Sequence, residues 1–441
     1  MFKREKYLKQ LIDKKNNHLI KVITGLRRCG KSFLLNNIFY NYLINEEKVS
    51  KNHIIRFAFD VEEDISLLDA YLPDELTVFE NKQKTINSKK FLLFIKDQLK
   101  DNETYYLLLD EIQNLDNFVR TLNSFLRNDN IDIYVTGSNS YMLSSNIDTE
   151  FGGRTSQIHL LPLSFSEYLN DCNIEKKEAF EIYERYGGLP LVENQKNDLE
   201  KMSQAISIYK DTYLSDIIKR HPQVNENSLD ETLHVVASMI STLLNPTKIE
   251  NTFKSKYRIS LSNDIISNYI KWFEDAFLLK KALRYDVKGR SYIGTPYKVY
   301  FEDIGIRNAI LNFRDIDETD LIENIVFNEL RYRGYTVDVG IVPSREKTNK
   351  KDASNKYIYK KIDREVDFIA NRGDKKYYIQ VALDISSSEK KDQEYESLRN
   401  ISDSFKKIII VKNQGLPYYT DEGFLRISLM DFLTNDNSLD Y

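Results

Sequence analysis

Eight consecutive residues, Gly25-Leu-Arg-Arg-Cys-Gly-Lys-Ser32, have the types and spacing to hold a polyphosphate. They follow the pattern G-x-x-x-x-G-K-[ST], in which every fixed position has a physical task. Gly25 and Gly30 let the backbone turn the N–H groups of Leu26, Arg27, Arg28 and Cys29 inward around phosphate oxygens. Lys31 brings a cation to the β and γ phosphates, and the Ser32 hydroxyl is an oxygen ligand for Mg²⁺. An acid pair, Asp110-Glu111, closes the apolar run Tyr105-Tyr-Leu-Leu-Leu109. At the C-terminal end of a buried strand, Asp110 is placed to hold Mg²⁺, mostly through water. Glu111 is placed to orient or activate an attacking water. The chemistry these residues point to is ATP binding and phosphoryl transfer to water.

Such residues have to be positioned by a sheet. A β-type run, His18–Thr24, precedes the loop, and Leu34, Leu35, Ile38, Phe39, Tyr42 and Leu43 recur after it at helical spacing. Ile54–Phe59 reads as the next strand and Phe91–Leu99 as a helix. Tyr105–Leu109 has the continuous apolar character of a parallel strand covered on both faces. A helix carrying Phe118, Val119, Leu122, Phe125 and Leu126, a strand Ile131–Thr136 and a last strand Ser156–Leu161 complete the set. Five strands alternating with helices predict a doubly wound α/β core. Ligands of such sheets collect at the carboxyl ends of the strands, so Ser138 in Gly137-Ser-Asn-Ser140 is expected beside the γ-phosphate, with Asn139 as second choice.

GLRRCGKS, YYLLLDEIQ, VTGSNS, FGGRTSQIHLLPLSFSEYL and RYGGLP occur in this order along the chain. Together they resemble the bacterial and archaeal AAA+ ATPases that join an ATPase core to a C-terminal domain of unknown function. The resemblance implies Walker A at Gly25–Ser32, Walker B at Asp110 and Glu111, and sensor 1 near Ser138. It implies an arginine finger at Arg154, in the Gly-Gly-Arg turn, and adenine packing by Pro190.

Beyond the core, Glu175–Arg220 carries a helical pattern suited to a lid and is broken by His221-Pro222. Helices then lead into a hairpin, Leu279–Tyr285 and Ser291–Phe301, an order that resembles a winged helix. Its second helix carries Asp264, Glu274 and Asp275 with only Lys271 nearby, which suits packing or protein contacts as well as a DNA groove. From about Asp315 onward, a helix Leu321–Leu330 and strands Tyr335–Val339, Arg364–Ile369, Lys376–Ala382 and Ile408–Val411 resemble the PD-(D/E)XK nuclease fold. Asp367 stands where the first metal-binding acid of that motif would be. Gln380 and Ala382 replace the expected acid and lysine, so nuclease activity is not expected. Glu323 or Glu329 would be a second acid, and Lys360 or Lys361 a displaced lysine. The Lys/Arg-rich stretch Pro343–Arg364 reads as a solvated loop that is also able to touch phosphates. The expected division is a core at 1–170, a lid at 171–222, a winged-helix-like domain at 223–312 and a nuclease-like domain at 313–441.

Composition bounds the rest. At 441 residues the chain suits about three domains. Lys and Arg number 63 against 67 Asp and Glu, so no global basic field draws the chain to nucleic acid or membrane, and such binding has to come from a local patch. Two cysteines form no disulfide framework, which fits a cytoplasmic setting, and five scattered histidines offer no metal spacing. No apolar run approaches the ~18 residues of a membrane span. The expected partners are ATP and a nucleic acid or protein, with a homo-oligomer as an open alternative.

Overall fold

A computed structural model describes residues 2–71, 77–80, 83–137, 150–172, 174–257, 261–314, 317–351, 357–385, 387–413 and 415–441. The chain divides into two compact units. The first comprises Met1–Pro162 with Asp275–Phe277, and the second Leu163–Glu274 with Leu278–Tyr441.

The first unit is built on five parallel strands: β1 (Ile20–Thr24), β2 (Ile54–Ala58), β3 (Tyr105–Asp110), β4 (Ile131–Thr136) and β5 (Thr155–His159), in the order β2-β3-β4-β1-β5. β1, β3 and β4 are buried along their whole length; β3 reads as an unbroken apolar run, while β1 and β4 bury Lys21 and Asp132 as an ion pair between them. The core packs Val22, Leu107, Leu109, Ile133 and Val135 against Phe57, Phe91, Leu122 and Phe125. Because all five strands run the same way, their carboxyl ends share one edge. That edge carries Gly25, Asp110 and Thr136.

The second unit holds an eight-stranded mixed sheet. Its strands are β6 (Leu279–Asp286), β7 (Ser291–Phe301), β8 (Thr336–Lys351), β9 (Tyr357–Arg372), β10 (Lys375–Ala382), β11 (Lys406–Val411), β12 (Tyr418–Tyr419) and β13 (Leu425–Ser428), in the order β12-β13-β11-β10-β9-β8-β6-β7. Two expectations change here. The hairpin assigned to a winged-helix-like domain is an edge of this sheet, because β6 pairs in parallel with β8 through Val339, Gly340 and Ile341. A boundary at 312 would therefore cut through a hydrogen-bonded ladder. The stretch read as a charged loop is instead a long antiparallel ribbon, with β8 and β9 each 16 residues long. Arg345, Glu346, Tyr359, Lys360 and Lys361 are exposed on both sides of the pleat, a pattern with no apolar face to betray it.

Candidate nucleotide site and a buried ionic centre

Gly25 leaves β1 with φ 138°, and a Cβ there would meet the Leu160 carbonyl oxygen at 2.2 Å, so only glycine lets the loop turn against β5. Gly30, at φ 99°, caps the helix that starts at Lys31. Leu26 and Cys29 are fully buried beneath the loop, with the Cys29 thiol donating to Leu160 O at 3.4 Å. Neither side chain faces a phosphate, and the Cys29 N–H itself donates to Leu26 O at 3.3 Å. Arg27 is half-buried and Arg28 exposed. The Lys31 ammonium lies across the loop, donating to Gly25 O at 3.0 Å and Leu26 O at 3.1 Å.

Asp110 is the centre of the hydrogen-bond network. Ser32 Oγ donates to its Oδ1 at 3.1 Å, Asn36 Nδ2 to its Oδ2 at 3.4 Å, and the Thr136 hydroxyl also donates to Oδ1. Burial pushes the Asp110 carboxyl above its ordinary value, and the Thr136 and Ser32 hydroxyls pull it back. Thr136 Oγ1 in turn accepts the Glu111 N–H at 3.0 Å, while Glu111 sits in the left-handed region at φ 52° with its carboxylate taking a hydrogen bond from Gln113. Asp60, following β2, is pushed up first by burial and then by the Glu111 carboxylate, with Arg27 opposing. A hydroxyl and a carboxylate held together are the hard oxygen donors that Mg²⁺ takes, and they stand at the start of a helix beside a lysine, so this donor set fits the ion.

Sequence reading missed Asn36, Asp60 and Thr136. Thr136 had a signal: it ends β4, and the pairing of Leu109 with Val135 sets it beside Asp110. Ser138, with Asn139, lies outside the described residues. Arg154 is at the opposite end of the sheet. Its carbonyl accepts from Ile20 N, the first residue of β1, whereas Gly25 follows the last, about 16 Å of strand away. Its guanidinium reaches Asn123 Oδ1 at 3.4 Å, and it lines a pocket together with Arg120 and Arg127. Pro190 opens the short helix Pro190–Glu193 in the second unit. The glycines before it are explained by packing: Gly188 N donates to Asp303 Oδ2 at 2.8 Å, and a Cβ on Gly187 would strike the same carboxylate.

A second cluster forms inside the second unit around Asp367, on β9. Asp367 Oδ2 accepts the Val381 N–H at 2.8 Å, and the Gln380 side-chain oxygen accepts the Asp367 N–H at 3.5 Å. Lys298, on β7, donates to Glu323 at 2.9 Å and lies 2.6 Å from Glu365, and Tyr300 OH donates to Glu323 at 2.5 Å. Burial drives Asp367 well above the ordinary carboxylate range, with the Glu323 carboxylate adding to it and Lys298 opposing. Of the acids named beforehand, Glu323 joins the cluster and Glu329 does not, being paired with Arg333 at 2.8 Å. The lysine comes from the hairpin; Lys360 and Lys361 are exposed on the ribbon. Among the described residues, no group of three or more His, Cys, Asp or Glu side chains is arranged to hold a metal ion, and no helix is long and apolar enough to cross a membrane.

Comparison with known proteins gives the family. A profile described as an AAA domain matches residues 17–169, and a domain of unknown function matches residues 177–317. An uncharacterized protein of Haemophilus influenzae is 33% identical over 415 residues, covering 93% of each chain. An uncharacterized protein of Methanocaldococcus jannaschii is 28% identical over 434 residues, covering 93% of this chain and 85% of that one. Among solved structures, the Aeropyrum pernix ORC1 protein in complex with DNA is 11% identical, covers 70% of this chain and 92% of its own, and superposes with a TM-score of 0.32, too loosely to carry a functional inference.

Proposed function

The chain belongs to the P-loop AAA family of its Haemophilus influenzae relative, and on that premise we propose that it binds ATP with Mg²⁺ at Gly25–Ser32 and hydrolyses it to drive changes of contact with a macromolecular partner. The observation that carries this reading is the Ser32–Asp110–Thr136–Glu111 network, which joins two strand ends and the loop helix in one hydrogen-bonded unit. Mg²⁺, when bound, neutralises charge on the β and γ phosphates. Ser32 and Asp110 would hold it. The Lys31 ammonium would leave the Gly25 and Leu26 carbonyls for phosphate oxygens, exchanging neutral acceptors for charged ones. Glu111, fixed through its backbone by Thr136, would take the proton of the attacking water.

Arg154 would serve a neighbouring subunit, since a full strand length separates it from its own phosphate loop. Ser138 would sense the γ-phosphate and Pro190 would pack on adenine, as the family resemblance implies. The hairpin edge of the sheet and the helices before it would act as a contact module in a cytoplasmic protein. The nuclease-like part would bind rather than cut, because Lys298 already engages Glu323 and Glu365.

A second reading, a slow nucleotide-gated switch for a protein partner, is favoured by the acids on the helix Asn263–Asp275. ATPase rate measured with and without double-stranded DNA, single-stranded DNA and RNA, at low and moderate salt, separates the two. Stimulation that fades with salt supports a nucleic-acid partner, and no response to any of them supports the switch. No turnover in any condition, with intact ATP affinity, would remove hydrolysis from the proposal.

A further inference from the structure

The ribbon formed by β8 and β9 leaves the sheet. β8 pairs with β6 only over Val339–Ile341, and β9 with β10 only over Phe368–Arg372, so from Pro343 outward the two strands have only each other as ladder partners. At ~3.4 Å per residue the arm from Pro343 to Lys351 runs about 30 Å. A two-stranded ribbon is marginal in water by itself, and its free edges invite pairing, so a long one needs a reason.

Its charge supplies one. Between 343 and 364 the sequence holds eight Lys or Arg and three Asp or Glu, in a chain whose net charge is -4. The register makes the excess costly: Arg345 stands directly opposite Lys361, a like-charge cross-strand pair that destabilises a ribbon. The next position on that face pairs Lys347 with Tyr359. Arg345 and Lys361 are exposed, and among the described residues no carboxylate is paired with either; on the other face the exposed Lys360 stands directly opposite Glu346. Tyr359 is 58% exposed. The base is braced, with Arg364 paired to Glu396 and Lys288 donating to the Pro343 carbonyl at 2.5 Å. A braced arm whose one face juxtaposes cations is arranged for a polyanion.

We propose that this ribbon is a nucleic-acid-binding arm that enters the major groove of duplex DNA, with Arg345 and Lys361 on phosphates. The groove of B-form DNA admits a two-stranded ribbon, whereas the major groove of duplex RNA is too narrow for side chains to read. The assignment names the partner left open by the ATPase reading and stands apart from it, because the arm needs no nucleotide to hold its shape.

The test is fluorescence anisotropy of a labelled DNA duplex with the full-length protein, without nucleotide, across a salt series. Arg345→Ala/Lys361→Ala should weaken binding about tenfold or more and lower the slope of log K against log salt by about 2, one contact per cation. Replacing 345–361 with an Asn-Gly turn between the paired Ser344 and Ile362 should abolish the ribbon's contribution while leaving the thermal unfolding of the rest intact. Lys31→Ala should bind DNA as the wild type does, which separates failure of the arm from failure of the nucleotide site. Absence of duplex binding by the wild type overturns the proposal, and so does binding of unchanged strength and slope in either arm variant. Equal or tighter binding of duplex RNA overturns the groove geometry. Binding of polyglutamate in place of DNA would make the partner an acidic protein instead.

Discussion

Ser32 and Asp110 are 78 residues apart in sequence and 3.1 Å apart in space, Oγ to Oδ1. That single contact joins the phosphate loop to the strand two places away in the sheet, and it sets the first expectation. Lys31→Ala should lose ATP affinity, because it removes the cation on the β and γ phosphates. Glu111→Gln should keep affinity and suppress turnover, because an amide takes no proton. Equilibrium nucleotide binding and steady-state phosphate release distinguish the two, and normal hydrolysis by Glu111→Gln would remove Glu111 from the chemistry.

Thr136 donates to Asp110 and accepts from Glu111 N. Thr136→Val keeps the shape and removes both bonds, leaving a buried carboxylate short of a donor. The cost is expected at about 1 to 3 kcal/mol in denaturant unfolding, with turnover reduced and Thr136→Ser recovering most of both. A valine variant as stable and active as the wild type would mean that the hydroxyl is dispensable.

Arg154 stands at the opposite end of the sheet from the phosphate loop. If it completes a neighbour's site, Arg154→Ala keeps ATP affinity and loses turnover, by ~10³ to 10⁵ for a full arginine finger. Wild-type specific activity should then rise with protein concentration. A rate independent of concentration in a monomeric protein counts against action in trans.

Lys298 is buried between Glu323 and Glu365. Lys298→Met leaves these acids uncompensated and should cost about 3 to 5 kcal/mol, with Lys298→Arg costing less. The wild-type protein incubated with DNA or RNA in Mg²⁺ or Mn²⁺ should cut neither. Cleavage that vanishes in Asp367→Ala and persists in Lys31→Ala would make this centre a nuclease.

Asp303, fully buried at the N-cap of Ile304–Ile310, is pushed up to about 6 by burial, against the N–H groups of Gly188, Ile306 and Gly305, from an ordinary value of 3.8. A raised carboxyl contributes stability that is fully present below about 3.8 and lost as pH rises through about 6. The stability of the wild type relative to Asp303→Asn should therefore fall by about 2 kcal/mol between pH 4 and pH 7. A difference constant over that window would show that the carboxyl titrates normally.

The sequence by itself determined the features that depend on near neighbours. Gly25–Ser32 is a local pattern whose glycines, lysine and serine act within one turn, and Tyr105–Leu109 announces a strand covered on both faces by its unbroken apolar run. The order of strands and helices follows from such runs, and with it the edge on which Asp110 and Glu111 stand. Tertiary structure alone decided which distant groups meet. Thr136 meets Asp110 because β3 and β4 lie side by side, and Asn36 meets it from the helix that follows the phosphate loop. Lys298 looks like a solvent-facing strand residue, yet the parallel pairing of β6 with β8 carries its hairpin into the sheet and buries it among acids. The ribbon was hidden for the reverse reason: both its faces are wetted, so no hydrophobic alternation marks it, and only the backbone ladder between its strands makes the charged stretch a structure.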